Sequence, residues 1–333
     1  MAFTPDGRGI ISGGKDGTVR LWPTNATAKE KFYEGTWTPL KFSKDGRVLA
    51  AINAQSKFAL VNLSTGEPEE PLQLAKTPRW TGAISDDLRT LAEPLWEGGL
   101  RVWNLQTRES VGLGNRELRT SWAAIAPDGA TLLAGGGGSA LWWNLRAVSE
   151  TPIKLESKGA LFSRNGTVLI TLHDRSFKRW DPKTRLLKAE FPVEADFGFA
   201  TPLALSVDGS VLAIGSNPMT ESQNAVRLWD TRTGKLLGIC RGHTQGIRWL
   251  ALAPDGETLA SVSDDSTLRF WNVRTQQELI SIQRLVDPIR DIVFSPDGQW
   301  LAAKTASGLR LLDGSRDRDG AELNGLGRSS SGQ

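Results

Sequence analysis

The chain has 333 residues, 39% of them hydrophobic, with 40 Lys and Arg against 37 Asp and Glu and a formal net charge of +3. That is enough apolar material for a substantial core. The mixed charge, with no dense Lys/Arg block, argues against a nucleic-acid-binding or membrane-surface protein. A single cysteine, Cys240, excludes an internal disulfide and any multi-cysteine zinc site, so packing must hold the fold, and a reducing, cytoplasmic setting is expected.

The chain opens on MAFTPDG, which lacks the basic head and apolar segment of a secretory signal and reads as the end of a strand whose start is missing. From there, short alternating runs broken by Gly, Asp and Asn predict antiparallel strands joined by tight turns, and no run reaches the roughly 20 apolar residues of a membrane span. An Asp-Gly type of turn recurs at Asp6, Asp45, Asp87, Asp128, Asn165, Asp208, Asp255 and Asp297, at separations of 37 to 47 residues. A second comb follows each turn: VRLWP (Trp22), FALVN (Val61), LRVWN (Trp103), ALWWN (Trp143), FKRWD (Trp180), VRLWD (Trp229), LRFWN (Trp271) and LRLLD (Leu312). The unit is best formed at residues 240–279, and Val61 and Leu312 mark repeats 2 and 8 as the weak ones.

Self-similarity at about 40 to 45 residues is the mark of propeller blades. A lone four-stranded sheet cannot bury both faces; copies set radially pack face to face, and the aromatic of the second comb fills the gap between neighbours. The predicted architecture is all-β, a propeller of eight four-stranded antiparallel blades over residues 1–313. A seven-bladed ring with one extra unit is the alternative. Residues 314–333, rich in Gly, Ser and charge, read as an outer-strand remnant around Ala321 to Leu326 and a flexible tail.

In combination, the FSPDG type of turn and the RLWD type of strand resemble the WD40-repeat (beta-transducin-like) propeller family, over nearly the whole chain. The resemblance implies strands a, b, c and d from the inside of each blade outward, with the Pro-Asp-Gly turn after strand a and the tooth aromatic on strand c. It also implies a buried hydrogen-bonded set, here His243, Asp265, Ser261 or Ser263, and Trp271. Only repeat 7 holds the whole set, so the other blades are expected to rest on apolar packing. WD40 rings usually close by pairing an N-terminal outer strand with C-terminal inner strands; the outer strand of repeat 8 is expected from the tail.

Motifs for chemistry are scarce. His173 and His243 fall in different repeats, so no His-rich metal cluster arises and no metal or cofactor is expected. Cys240, three residues before His243, reads as a packing residue rather than a nucleophile. Gly135 to Gly138 precedes a strand, not a helix, and reads as a b-to-c turn instead of a phosphate cradle. SRDRDG, from Ser315, lacks the bidentate Glu a calcium loop needs at its twelfth place, where Leu326 stands.

Function is expected where the copies disagree, because loops carry binding and strands carry packing. From turn to tooth the repeats take 15 or 16 residues, but repeat 6 takes 21, the surplus lying in GSNPMTESQNA. The longest connection between repeats, containing FPVEADFGFA, leads into the same repeat. Phe197, Phe199 and Met219 supply apolar contacts there. A second cluster joins Trp80 and Trp96 of repeat 3 to the strand-mouth cations Lys158, Arg248 and Arg290, a mix of aromatics and cations that protein interfaces favour. The expected function is a non-enzymatic scaffold presenting these top-face loops to a protein or peptide, an acidic or aromatic one by the composition of the cluster. Two alternatives are a sensor or docking module of a longer signalling protein, which the missing first strand favours, and a quinoprotein-like propeller enzyme. Asp230 to Lys235 fits a quinoprotein repeat string, but those enzymes place the Trp after it and need an adjacent cysteine pair.

Overall fold

A computed structural model describes residues 38–304 apart from 54, 64–68, 76–81, 96, 115–116, 119, 194–201, 217–223, 283–288, 290 and 299, and the strands of 1–34 and 308–313 by their backbone. Repeat 1 forms β1 (Ala2–Phe3), β2 (Gly9–Gly13) and β3 (Val19–Pro23), followed by β4 (Lys31–Glu34). Repeat 2 forms β5 (Thr38–Phe42), β6 (Val48–Ile52), β7 (Lys57–Asn62) and β8 (Leu72–Gln73); repeat 3 forms β9 (Ala83–Ile84), β10 (Thr90–Pro94), β11 (Leu100–Asn104) and β12 (Glu109–Leu113). Repeat 4 forms β13 (Trp122–Ile125), β14 (Thr131–Gly136), β15 (Ser139–Asn144) and β16 (Ile153–Glu156). Repeat 5 forms β17 (Gly159–Phe162), β18 (Leu169–Leu172), β19 (Ser176–Asp181) and β20 (Leu186–Pro192). Repeat 6 forms β21 (Leu203–Leu205), β22 (Val211–Gly215), β23 (Ala225–Asp230) and β24 (Leu236–Arg241). Repeat 7 forms β25 (Ile247–Leu252), β26 (Thr258–Ser263), β27 (Leu268–Asn272) and β28 (Glu278–Ile282), and repeat 8 forms β29 (Asp291–Phe294), β30 (Trp300–Lys304) and β31 (Gly308–Asp313).

The all-β propeller of antiparallel four-stranded blades is what forms, but the blade count differs from expectation. Six blades, repeats 2 to 7, are each built of four consecutive strands. The remaining segments do not make two more. Repeat 8 is a composite sheet in which β4 supplies the outer strand, with Leu309 opposite Tyr33 and Arg310 opposite Phe32, while repeat 1 is left as a three-stranded sheet. Eight copies of one blade, or seven with a spare, both give way to this arrangement. The expected tail strand at 321–326 is likewise replaced by β4; residues 314–333 lie outside the described ones. The physical reason is edge competition: a strand at a sheet edge presents unpaired N–H and C=O groups, and the open edge of β31 captures the strand that repeat 1 would otherwise keep. The inner strands follow one another from β5 to β29, and β29 lies back against β5, whereas β1 lies near the outer strand β28.

The core sits between blades, as the tooth comb predicts. Trp143, Trp229 and Trp271, at 3%, 8% and 1% exposure, pack on the apolar residues of the preceding repeat. Trp180 meets Trp142 of repeat 4 edge to face at 5.9 Å. Strand b is covered on both faces in every described blade, so Leu132, Leu133 and Ala134 are consecutive buried residues. Each buried large aromatic of this kind contributes about 3 to 5 kcal/mol against truncation.

Two side-chain devices shape the turns. In repeat 2 the Val48 N–H donates to Ser43 Oγ (2.9 Å), and that hydroxyl donates to Asp45 Oδ1 (2.6 Å), which also accepts the Arg47 N–H. The same Ser-x-Asp arrangement serves repeat 6 through Ser206 and Asp208. After the tooth, the Asp or Asn closes the c-to-d turn: Asp230 accepts the N–H groups of Arg232 and Thr233, and Asn272 those of Arg274 and Thr275. Side-chain capping of a local turn explains why Asp or Asn follows the comb. The glycine run is the expected b-to-c turn, with Gly137 and Gly138 both at positive φ (62° and 87°) between β14 and β15, the conformation of a two-residue hairpin.

Candidate functional site

The most polar buried cluster is the set in repeat 7. His243 follows β24 and points at the strand-b and turn residues of its neighbour blade: Nδ1 lies 2.9 Å from Asp265 Oδ2 and Nε2 lies 2.7 Å from Ser261 Oγ. Trp271 Nε1 donates to the same hydroxyl at 2.7 Å. Asp265 also accepts the Thr244 N–H (2.9 Å) and the Thr267 hydroxyl (2.6 Å). Ser263, the other strand-b serine, turns away to donate to the Gln245 carbonyl and accept the Asp265 N–H.

The electrostatics assign the protons. Burial raises the Asp265 carboxyl, but the hydrogen bonds from Thr267, the Thr244 N–H and His243 outweigh it and bring it down to about 2. Burial lowers His243 against the pull of Asp265, so the imidazole is neutral at pH 7. Nδ1–H therefore donates to Asp265, Nε2 accepts from Ser261, and Ser261 accepts from Trp271: one directed relay from strand c to the turn. Ser, His and Asp at these distances match the order of a nucleophilic triad. Ser261 has no exposed surface, however, and its oxygen already accepts the indole N–H, so no substrate reaches it. The arrangement is a fastening. Cys240 is equally inert: burial pushes its thiol up to about 12.

Repeats 3 and 5 hold substitutes that the sequence reading missed. In repeat 5, Trp180 Nε1 donates to Thr171 Oγ1 (2.9 Å), which lies 3.2 Å from His173 Nε2, a histidine supplied by the b-to-c turn. In repeat 3, the fully buried Glu93 accepts Trp103 Nε1 (2.8 Å) and the Ala75 N–H, with Arg101 3.8 Å away. The expectation that these blades are held mainly by apolar packing thus gains polar fastenings in repeats 3 and 5. The signal was available: Ser261, Thr171 and Glu93 each stand two places after the strand-b leucine paired with the tooth (Leu259, Leu169, Leu91). Repeat 6 has Ile214 there, and Trp229 Nε1 finds no acceptor among the described residues.

Of the residues singled out for binding, Trp80, Trp96, Arg290, Phe197, Phe199 and Met219 lie outside the described residues. Lys158 stands just before the inner strand β17 and Arg248 second in β25, and neither is an unopposed cation. Lys158 meets Asp174 of its own blade's turn, and Arg248 grips Asp264 through Nε and a terminal nitrogen, both at 2.6 Å. Beside Arg248 the sequence reading overlooked Trp249, which is 42% exposed while its Nε1 donates to the Ile292 carbonyl of repeat 8 (2.8 Å). The described residues contain no group of three or more His, Cys, Asp or Glu able to hold a metal, and no helix long and apolar enough to cross a membrane.

Radially packed four-stranded antiparallel blades, fastened between strands b and c and closed by an N-terminal strand, define a β-propeller. The family model described as "WD domain, G-beta repeat" matches residues 1–23 and 234–272. Curated relatives include the nuclear distribution protein PAC1 of Arthroderma otae, 27% identical over 290 residues, which is 80% of this chain and 57% of that protein. The periodic tryptophan protein 2 homolog of Dictyostelium discoideum is 25% identical over 281 residues (72% and 28%), and the ribosome biogenesis protein WDR12 homolog of Chlamydomonas reinhardtii 25% over 278 residues (78% and 59%). In repeat, fold and likeness the chain resembles the WD40-repeat β-propellers. It spans less than two thirds of the length of each of these relatives.

Proposed function

We propose that the chain is a non-enzymatic interaction platform that binds a protein or peptide on the face where the inner strands begin and the b-to-c turns gather. WD40 propellers are in general scaffolds of this kind. The observation that carries the reading is Trp249: a large aromatic left 42% exposed at the mouth of β25, locked by its Nε1 hydrogen bond and flanked by the bidentate Arg248–Asp264 pair. A rigid, partly wet aromatic beside an Arg is the composition that interface hot spots favour. Trp80 and Trp96 of repeat 3, and Phe197, Phe199 and Met219 of repeat 6, extend the same face in this proposal. Because Lys158 and Arg248 are already paired, the ligand is selected by aromatic and hydrogen-bonding contacts more than by acidity.

A second reading, a docking module within a longer protein, is favoured by the relatives' greater length. Both readings meet one experiment: proximity labelling with the wild-type chain, with Trp80→Ala/Trp96→Ala and with Trp249→Ala. Loss of the same partners from the variants is expected. Recovery of identical partners at equal strength from all three would remove this face from consideration.

A further inference from the structure

The outer strands are the exposed margins of the blades, and two adjacent ones open on a pair of exposed leucines, where β12 and β16 expose one aliphatic each, Val111 and Ile153. Leu186 and Leu187 open β20 with 58% and 45% exposure, and Leu236 and Leu237 open β24 with 38% and 39%. Opposite the tooth tryptophan the outer strand thus carries Leu187 in repeat 5 and Leu236 in repeat 6, where repeat 3 has Ser110 and repeat 7 has Glu278. Four exposed leucines leave apolar surface in water in the isolated protein, which a partner would cover favourably.

The two pairs hold equivalent places, the first residues of the outer strands of neighbouring blades, and those blades touch beside the second pair. Phe191, late in β20, lies so close to Gly234 that a Cβ there would stand 2.1 Å from its ring, and from Gly234 the chain runs straight into Lys235, Leu236 and Leu237. Exposed cations border the leucines: Lys183 and Lys188 in repeat 5, Arg232 and Lys235 in repeat 6. Lys188 reaches Asp181 only at 3.9 Å, and Lys183, Arg232 and Lys235 have no ion-pair partner among the described residues. Asp181 and Asp230 spend their oxygens capping backbone N–H groups, although the charge of Arg232 still acts on Asp230 and that of Lys188 on Asp181.

We infer that this outer rim of repeats 5 and 6 docks an acidic segment of a partner protein, whose aliphatic side chains cover Leu186, Leu187, Leu236 and Leu237 and whose carboxylates meet Lys183, Arg232 and Lys235. Charge complementarity selects that occupant. A second copy of this chain, meeting it through the same patch, would set Lys183, Arg232 and Lys235 against their own counterparts. The rim is separate from the face that carries Trp249, so either surface stands or falls alone.

The test uses the full chain, titrated by fluorescence anisotropy against a labelled synthetic peptide of repeating Glu-Glu-Leu-Leu sequence, and in parallel against phosphatidylcholine/phosphatidylserine vesicles. Saturable peptide binding is expected, weakened at least about tenfold in Leu187→Ser/Leu236→Ser and in Lys183→Glu/Lys235→Glu, and unchanged in Val111→Ser, an exposed outer-strand position of repeat 3. All these positions are exposed, so the variants keep the fold, checked by circular dichroism. Absence of saturable peptide binding, or binding that the variants leave intact, would overturn the inference. So would preferential sedimentation with the vesicles, or a concentration-dependent dimer abolished by the same substitutions.

Discussion

Replacing His243 with Ala removes the middle of the relay in repeat 7. Two buried groups each lose one partner: the Ser261 hydroxyl loses its acceptor Nε2, 2.7 Å away, and the Asp265 carboxylate loses the donor Nδ1, 2.9 Å away, while keeping those from Thr244 and Thr267. A buried polar group left unsatisfied costs about 1 to 3 kcal/mol, and the ring leaves a cavity beside Trp271, 6.0 Å from it centroid to centroid. The expected loss is about 3 kcal/mol, set against the ±0.5 kcal/mol or so typical of a surface change such as Lys235→Ala. Ser261→Ala takes away the acceptor of Trp271 Nε1 and the donor to His243 and is expected to cost about 2 kcal/mol. If the residues act as one relay, the double variant is less destabilised than the two losses added, with a coupling of about 1 kcal/mol or more. Urea titration followed by tryptophan fluorescence measures all three variants. Additive losses, or a His243→Ala midpoint equal to that of Lys235→Ala, would refute the relay and leave Trp271 held by packing alone.

Acidification should release the same fastening in two stages. The folded His243 titrates below its ordinary 6.5, so its contribution is whole above pH 6.5 and declines as the pH falls through and below that value. Asp265, about 2 in the folded state against 3.8, holds its share above pH 4 and loses it between about pH 4 and pH 2. Melting temperatures from pH 7.5 to pH 3 should fall more steeply for wild type than for His243→Asn. Parallel curves would count against the assignment. Glu93→Ala leaves the Trp103 indole and the Ala75 N–H without an acceptor and should cost about 3 kcal/mol in urea, with Glu93→Gln in between; a neutral Ala variant would contradict the buried-acceptor role. Gly209→Ala places a Cβ 2.7 Å from Val168 at φ +73°, whereas Gly256→Ala shares the positive φ (+68°) with open space around it. The first should cost at least about 2 kcal/mol and the second about 1 kcal/mol, and equal midpoints would show that Val168 yields freely. The Cys240 thiol should resist Ellman's reagent in native buffer and react fully in urea; rapid native labelling would contradict its burial.

Much of the fastening was legible through the resemblance to WD40 repeats, whose pattern His243, Asp265, Ser261 and Trp271 match in one well-formed repeat. Glu93 and Thr171 were harder to see. Each does the work of Ser261 with a different functional group, and a search for the same residue type at the same place passes over them. Trp249 was missed for another reason: an aromatic on an inner strand reads as core, and its 42% exposure follows from where β25 and β29 meet. Lys158 precedes β17 and Arg248 lies in β25, and their pairing with Asp174 and Asp264 depends on how the b-to-c turn folds back over the strand mouth.

What the sequence by itself determined is local: the strand period, the Asp-Gly and Asx turns, the tooth aromatics and the four-stranded unit, all set by neighbours a few residues apart. What only the tertiary structure decided is which distant segments share an edge. In sequence, Lys31–Glu34 belongs to repeat 1 as naturally as any outer strand does. It pairs instead with β31, far along the chain, since an open edge there offers a row of unpaired backbone groups and a ring can satisfy them only by joining its two ends. That long-range choice turns eight sequence repeats into six blades of consecutive strands, a composite sheet and a three-stranded remainder.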